Sequence, residues 1–139
     1  FDYDYLETIV TLKQVVDGAP ELLAHLTKRG PVHVLSNGFA NLQSRKLKSG
    51  GIDKYITKLI LSDDIDVTKP DRRLFDYALE QVGGTPETTV MIGDNYDADI
   101  LGANNAGWHT IFFNRKNVVL ETNVADLTVT RLTDIIAWL

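Results

Sequence analysis

The sequence predicts an α/β domain in which helices cover a parallel sheet. Short apolar runs alternate with longer amphipathic stretches at the spacing of βαβ units. Two of these runs end directly in turn residues that also carry polar chemistry, and a length of 139 residues allows one domain around one core. In parallel sheets of this kind, ligands bind at the C-terminal ends of the strands. The residues that follow each strand are therefore the first candidates for a functional site.

Five apolar runs have the length and composition of buried strands. The predicted strands are Val32–Leu35, Lys58–Leu61, Thr89–Ile92, His109–Phe113 and Leu127–Val129.

Helices are predicted between these strands. The turn at 17–20 carries a proline where a first helical turn tolerates it, and an apolar stripe follows until Gly30. Further helices are expected over 39–49, from Pro70 to Val82, after Asp94 to about residue 106, and from Arg131 to the end. Leu6, Ile9, Val10 and Val16 also have helical spacing, which predicts a helix near the start of the sequence.

Composition excludes several classes of function. The formal net charge is -5 and the sequence pI is about 5.0, which argues against a nucleic-acid partner or an acidic membrane surface. The absence of cysteine excludes disulfides and thiolate chemistry, and it fits a cytoplasmic location. No apolar run approaches the roughly 20 residues that span a bilayer. A single phosphorylated small molecule remains a suitable partner, because it needs only a local site.

The first and second predicted strands are each followed by a candidate anion-binding group. Ser36, Asn37 and Gly38 offer a hydroxyl, backbone amides and a flexible residue that can surround an anionic oxygen, although the same residues also form ordinary turns. Lys69 precedes Pro70 at a helix start, so its ammonium can point at the sheet edge, where it suits phosphate. A solvated surface lysine is the alternative for Lys69.

The third predicted strand is followed by three carboxylates within six residues, at Asp94, Asp97 and Asp99. Carboxylate oxygens are ligands that Mg²⁺ prefers, and a divalent cation would relieve their mutual repulsion. Asp97 has an alternative role as a helix N-cap. Asp94 has no such role, because it follows Gly93 at the tip of the strand.

Together these motifs resemble the haloacid dehalogenase superfamily, and within it the helical-cap phosphatases that include 5′-nucleotidases. The resemblance implies a Rossmann-like core, with Ser36 and its neighbours holding the transferring phosphoryl group, Lys69 neutralising charge, and Asp94 with Asp99 holding Mg²⁺. It implies hydrolysis of a phosphate monoester, such as a nucleotide or another small phosphorylated metabolite. The acidic pair at Asp94 and Asp99 favours this chemistry over dehalogenation, which uses no metal.

The sequence departs from the family pattern at its first motif, Asp-x-Asp-x-Thr, which carries the nucleophile on the central strand. The nearest match, Asp2 to Leu6, has no strand before it and has leucine at the threonine position. We therefore interpret residues 1–16 as the remainder of a helical cap and its linker, and 17–139 as an incomplete core. The sheet is then expected to lack its central strand, and a preceding segment or another chain is expected to complete it.

Three other interpretations are open at this point. Without a nucleophile, the chain could be a non-catalytic module that binds a phosphorylated ligand and Mg²⁺. A receiver-like signalling domain uses similar residues, but its acidic residues come first, whereas here Ser36 and Lys69 precede Asp94. A dinucleotide-binding domain would need Gly-x-Gly-x-x-Gly after a strand, which the sequence lacks.

Overall fold

A computed structural model describes residues 5–11, 17–37, 45 and 47–139. These residues contain one six-stranded sheet in which every neighbouring pair of strands is parallel. The strands are β1 (Glu7–Thr11), β2 (Val32–Ser36), β3 (Ile56–Leu61), β4 (Thr89–Gly93), β5 (His109–Phe113) and β6 (Leu127–Val129). Their order across the sheet is β3-β2-β1-β4-β5-β6. The parallel sheet predicted from the sequence is confirmed.

The centre of the sheet is occupied by β1, so the predicted gap does not exist. On one side Thr8 is in register with Val32 of β2, and on the other side it is in register with Val90 of β4. The helix predicted from Leu6 to Val16 is therefore wrong over residues 7–11, because both edges of this segment are paired. The sheet is completed by the chain itself, and the boundary expected at residue 17 does not separate β1 from the core.

Helices cover both faces of the sheet. The main described helical segments are α1 (Ala19–Leu26), α2 (Arg72–Val82), a π-helical turn (Tyr96–Leu101) that runs into α3 (Gly102–Asn105), and a closing 3₁₀ turn (Leu132–Ala137). Short 3₁₀ turns are also present at Asp53–Tyr55, Ser62–Asp64 and Pro86–Thr88. The helix predicted over 39–49 lies largely outside the described residues, although 47–49 are helical. The predicted closing helix is a 3₁₀ turn instead. No helix among the described residues is long and apolar enough to cross a membrane.

The alternating side chains of β1 point into two separate cores. Val10 packs with apolar residues of α1 and the closing turn on one face, whereas Ile9 packs with Phe75 of α2 and Ala103 of α3 on the other. All four side chains are at most 5% exposed. Burial on both faces is the usual state of a central strand in a parallel sheet, and it explains why β1 is apolar at consecutive positions.

A buried polar pair ties β1 to β2 at the end of the sheet opposite the candidate site. The Glu7 carboxylate lies 2.7 Å from Nε2 of His33, and the Tyr5 hydroxyl donates a 2.8 Å hydrogen bond to the other carboxylate oxygen. Glu7 and His33 are both buried. His33 therefore has a structural role, because its contact with Glu7 joins the two strands.

Candidate active site

The candidate site lies where the order of the strands reverses. From β1 the chain continues to β2 and β3 on one side and then crosses back to β4 on the other side of β1. Ligands of parallel sheets bind in the crevice at the carboxyl ends of the strands at such a reversal. Thr11, Ser36 and Gly93 are the last residues of the three strands. The loops that carry Lys69 and Asp94 start from the same edge, because every strand in the sheet is parallel.

Lys69 connects three of the segments that meet at this edge. Its ammonium donates a 2.8 Å hydrogen bond to Oδ1 of Asp99 and a further one to the Thr11 hydroxyl. Its backbone N–H donates to Oδ1 of Asn37 at 3.2 Å. Only 8% of the Lys69 side chain is exposed, so this lysine is not a solvated surface residue. The ammonium is directed towards Thr11 at the end of β1 and towards Asp99.

Helix α2 fixes the backbone just after Lys69. The Asp71 side chain caps this helix by accepting a 2.9 Å hydrogen bond from the Arg73 N–H. The Arg73 guanidinium also bonds the same carboxylate, and these contacts lower the pKa of Asp71 to about 2. The cap at Asp71, two residues after Lys69, therefore fixes where α2 begins.

Asp99 is the most buried carboxylate of the site. Its Oδ1 accepts from Lys69, and its Oδ2 accepts a 3.1 Å hydrogen bond from the Asn95 N–H. Burial raises the pKa of Asp99, and the negative charge of Asp94 acts in the same direction, whereas the neighbouring ammonium opposes both. A Cβ added at Gly93 would lie 2.5 Å from Cβ of Asp99, so this close approach requires glycine.

The three predicted metal ligands have different surroundings. Asp94 is half-buried and close enough to Asp99 to influence its charge state, whereas Asp97 is exposed on the first turn of the π-helical segment. No group of three or more acidic, histidine or cysteine side chains is arranged around a cation position within the described part of the chain. Asp94 has the oxygen chemistry that suits Mg²⁺. Both oxygens of Asp99 are already hydrogen-bonded within the protein, so Asp99 is better placed to support the site than to coordinate directly.

The predicted phosphate-binding residues are described in part. Ser36 is half-buried at the end of β2, and Asn37 is exposed beside it, with its side chain holding the loop that contains Lys69. Gly38 lies outside the described residues.

Thr11 is a site residue that sequence analysis missed. It ends the central strand, it is 6% exposed, and its hydroxyl contacts the Lys69 ammonium. The signal that could have found it was the segment Glu7–Thr11, in which four of five residues are β-branched, as is typical of a strand. The strand end that carries the nucleophile in the family pattern thus presents a hydroxyl here.

A parallel sheet whose central strand ends beside a buried lysine and an acidic pair defines a hydrolase core of the haloacid dehalogenase type. The family model of haloacid dehalogenase-like hydrolases matches residues 2–107, and the chain belongs to this family.

Two curated relatives and one solved structure illustrate the similarity. The chain is 34% identical to the pyrimidine 5′-nucleotidase YjjG of Escherichia coli over 79% of its own length and 49% of the relative's. It is 38% identical to the glyceraldehyde 3-phosphate phosphatase of Methanothermobacter thermautotrophicus over 69% of its length and 45% of the relative's. The magnesium-bound structure of the hydrolase YfnB of Bacillus subtilis matches 88% of this chain and 54% of that chain, with a TM-score of 0.81 and 25% identity. The chain therefore spans about half the length of the curated relatives it matches.

Proposed function

We propose that this chain forms the phosphate- and metal-binding part of a magnesium-dependent phosphate monoester hydrolase. The observation that carries the proposal is the contact of Lys69 with Asp99 at the switch point of the sheet, within reach of the ends of β1 and β2. A buried ammonium at this position offsets the charge of a phosphoryl group. The relatives named above act on phosphorylated small molecules, which supports a nucleotide or another small phosphorylated metabolite as the substrate.

The residues of this chain have separate tasks in the proposed reaction. Ser36 and the amides that follow it bind the phosphoryl oxygens, and Lys69 compensates the charge that develops on them. Asp94 would be the main Mg²⁺ ligand, and Asp99 would support the metal site without direct coordination. Asp97 is a weaker candidate for a metal ligand. When bound, the metal would neutralise phosphate charge and orient the ester.

The covalent step needs an aspartate nucleophile, which we propose comes from outside this chain. That aspartate attacks phosphorus, the ester P–O bond breaks with departure of the alcohol, and water then hydrolyses the aspartyl-phosphate. Residues 7–11 contain no aspartate, and Thr11 occupies the strand end where the family carries it. The Thr11 hydroxyl and the ion pair between Lys69 and Asp99 also favour a second candidate function for the chain alone. In this function the chain binds phosphorylated ligands without hydrolysing them.

Calorimetric titration of the chain with Mg²⁺ tests the metal assignment. Asp94→Asn removes a carboxylate from the candidate ligand set, so we expect Mg²⁺ affinity to fall at least about tenfold. Asp53→Asn is the matched control, since Asp53 is exposed before β3 at the opposite end of the sheet. Equal affinities of the two variants would contradict the assignment.

Hydrolysis of p-nitrophenyl phosphate tests whether the chain alone turns over a phosphate ester. The chain alone is expected to bind phosphate without releasing p-nitrophenol, because the C-terminal end of its central strand carries Thr11 and no carboxylate. Metal-dependent turnover by the 139-residue chain that survives replacement of Asp2 and Asp4 would show that a nucleophile is present elsewhere in it.

A further inference from the structure

A cavity of about 350 Å³ opens beside Asp94, between the loop after β4 and the segment after β5. Phe112 and Phe113 provide apolar lining, and Arg115, Lys116 and Val118 continue the lining along the segment after β5. The cavity shares Asp94 with the candidate active site but lies on the β5 side of it. Ser36, Asn37 and Lys69 do not line it.

The outer wall of this cavity is held in place by two polar side chains. The Asn114 amide donates to the Val118 carbonyl at 2.8 Å and accepts from the Val118 N–H at 2.9 Å. The Tyr96 hydroxyl donates to the Thr122 carbonyl at 3.0 Å and accepts from the Val124 N–H at 2.9 Å. Four hydrogen bonds therefore fix the segment that forms this wall, so the cavity is a built feature of the fold.

The charges around the cavity are separated. Asp94 and Asp97 lie on the β4 side, whereas Arg115 and Lys116 lie on the β5 side. Both cations are exposed, and neither makes a hydrogen bond or an ion pair with another described residue. A ligand whose phosphoryl group sits near Asp94 and its metal would extend towards two cations that the protein leaves available.

We propose that this cavity binds the leaving group of the substrate, and that this group carries a second anion, either a carboxylate or a second phosphate. The inference rests on the proposed function, because it assumes a phosphoryl group at the strand ends. A guanidinium and an ammonium next to each other suit a carboxylate or phosphate. The formal net charge of the whole chain is -5, so a preference for the more negative ligand has to come from a local site.

Two ligands that differ in one group test the proposal. 3-Phosphoglycerate and glycerol 3-phosphate share a three-carbon backbone and a phosphate, but only the first has a carboxylate. Calorimetric titration of the 139-residue chain in Mg²⁺ should show that 3-phosphoglycerate binds at least about tenfold more tightly.

Matched double variants locate the source of this preference. Arg115→Gln with Lys116→Gln should abolish the preference while leaving the affinity for glycerol 3-phosphate within about twofold. Lys28→Gln with Lys54→Gln removes the same charge at exposed positions that precede β2 and β3, at the opposite end of the sheet. This control should retain the full preference.

The outcomes separate this inference from the proposed function. Equal binding of the two ligands, or the same loss of preference in both double variants, would overturn the inference and leave phosphate binding intact. Failure of both ligands to bind in the presence of Mg²⁺ would overturn the proposed function and the inference with it. Tighter binding of a pyrimidine nucleoside monophosphate that does not depend on Arg115 and Lys116 would also overturn the inference.

Discussion

At the scale of single residues, the pair of Lys69 and Asp99 organises the candidate site. Both side chains are buried, and removing either partner would leave an uncompensated charge, at a cost of about 3–5 kcal/mol. Sequence analysis could identify these two residues because each follows a predicted strand in a recognisable motif. It could not identify Thr11, because a threonine at a strand end has no distinctive pattern until the neighbouring strands are known.

The cap of α2 gives a pH-dependent prediction. The pKa of Asp71 is lowered from 3.8 to about 2 in the folded state, so the carboxylate stabilises the fold above pH 4 and this contribution is lost as the pH falls towards 2. Asp71→Asn keeps a capping side chain but removes the titrating group. We expect the variant to lose less stability than the wild type between pH 4 and pH 2, measured by urea denaturation. Parallel stability curves would contradict this account of the cap.

At the scale of secondary structure, β1 is the strand that sequence analysis assigned incorrectly. Leu6, Ile9 and Val10 are spaced as on a helix face, and this local pattern outweighed the β-branched composition of the segment. Strand pairing decides the outcome, because β2 and β4 would otherwise leave facing backbone groups unpaired. The other five strands were predictable from sequence, since each contains a short apolar run of strand length.

Proline substitutions test whether β1 is central. The Thr8 N–H donates a 3.1 Å hydrogen bond to the Pro31 carbonyl, and Thr8 is fully buried with a paired strand on each side. Thr8→Pro removes that donor and crowds the sheet, so the free energy of unfolding should fall by at least about 2 kcal/mol. Thr128→Pro makes the same change in β6, which is the edge strand of the sheet formed by the described residues. Urea denaturation should therefore show a smaller loss for Thr128→Pro, and comparable losses would argue against a central β1.

At the scale of the whole molecule, one sheet brings together the residues of the candidate site, which are up to 88 positions apart in the sequence, from Thr11 to Asp99. Parallel pairing directs every strand end to the same edge, which is why the order of motifs along the chain predicted a shared site. The cavity beside β5 could not be predicted in this way. Its wall depends on hydrogen bonds from Tyr96 and Asn114 to a segment without regular structure, and no sequence periodicity marks such contacts.

The most direct test of a shared phosphate and metal site is an NMR titration of the isotopically labelled chain with inorganic phosphate and Mg²⁺. The amide signals of Ser36, Lys69 and Asp94 are expected to shift together with one apparent affinity, and this affinity should weaken when Mg²⁺ is withheld. Shifts confined to one of these residues, or separate affinities for each, would contradict a common pocket at the ends of β1, β2 and β4.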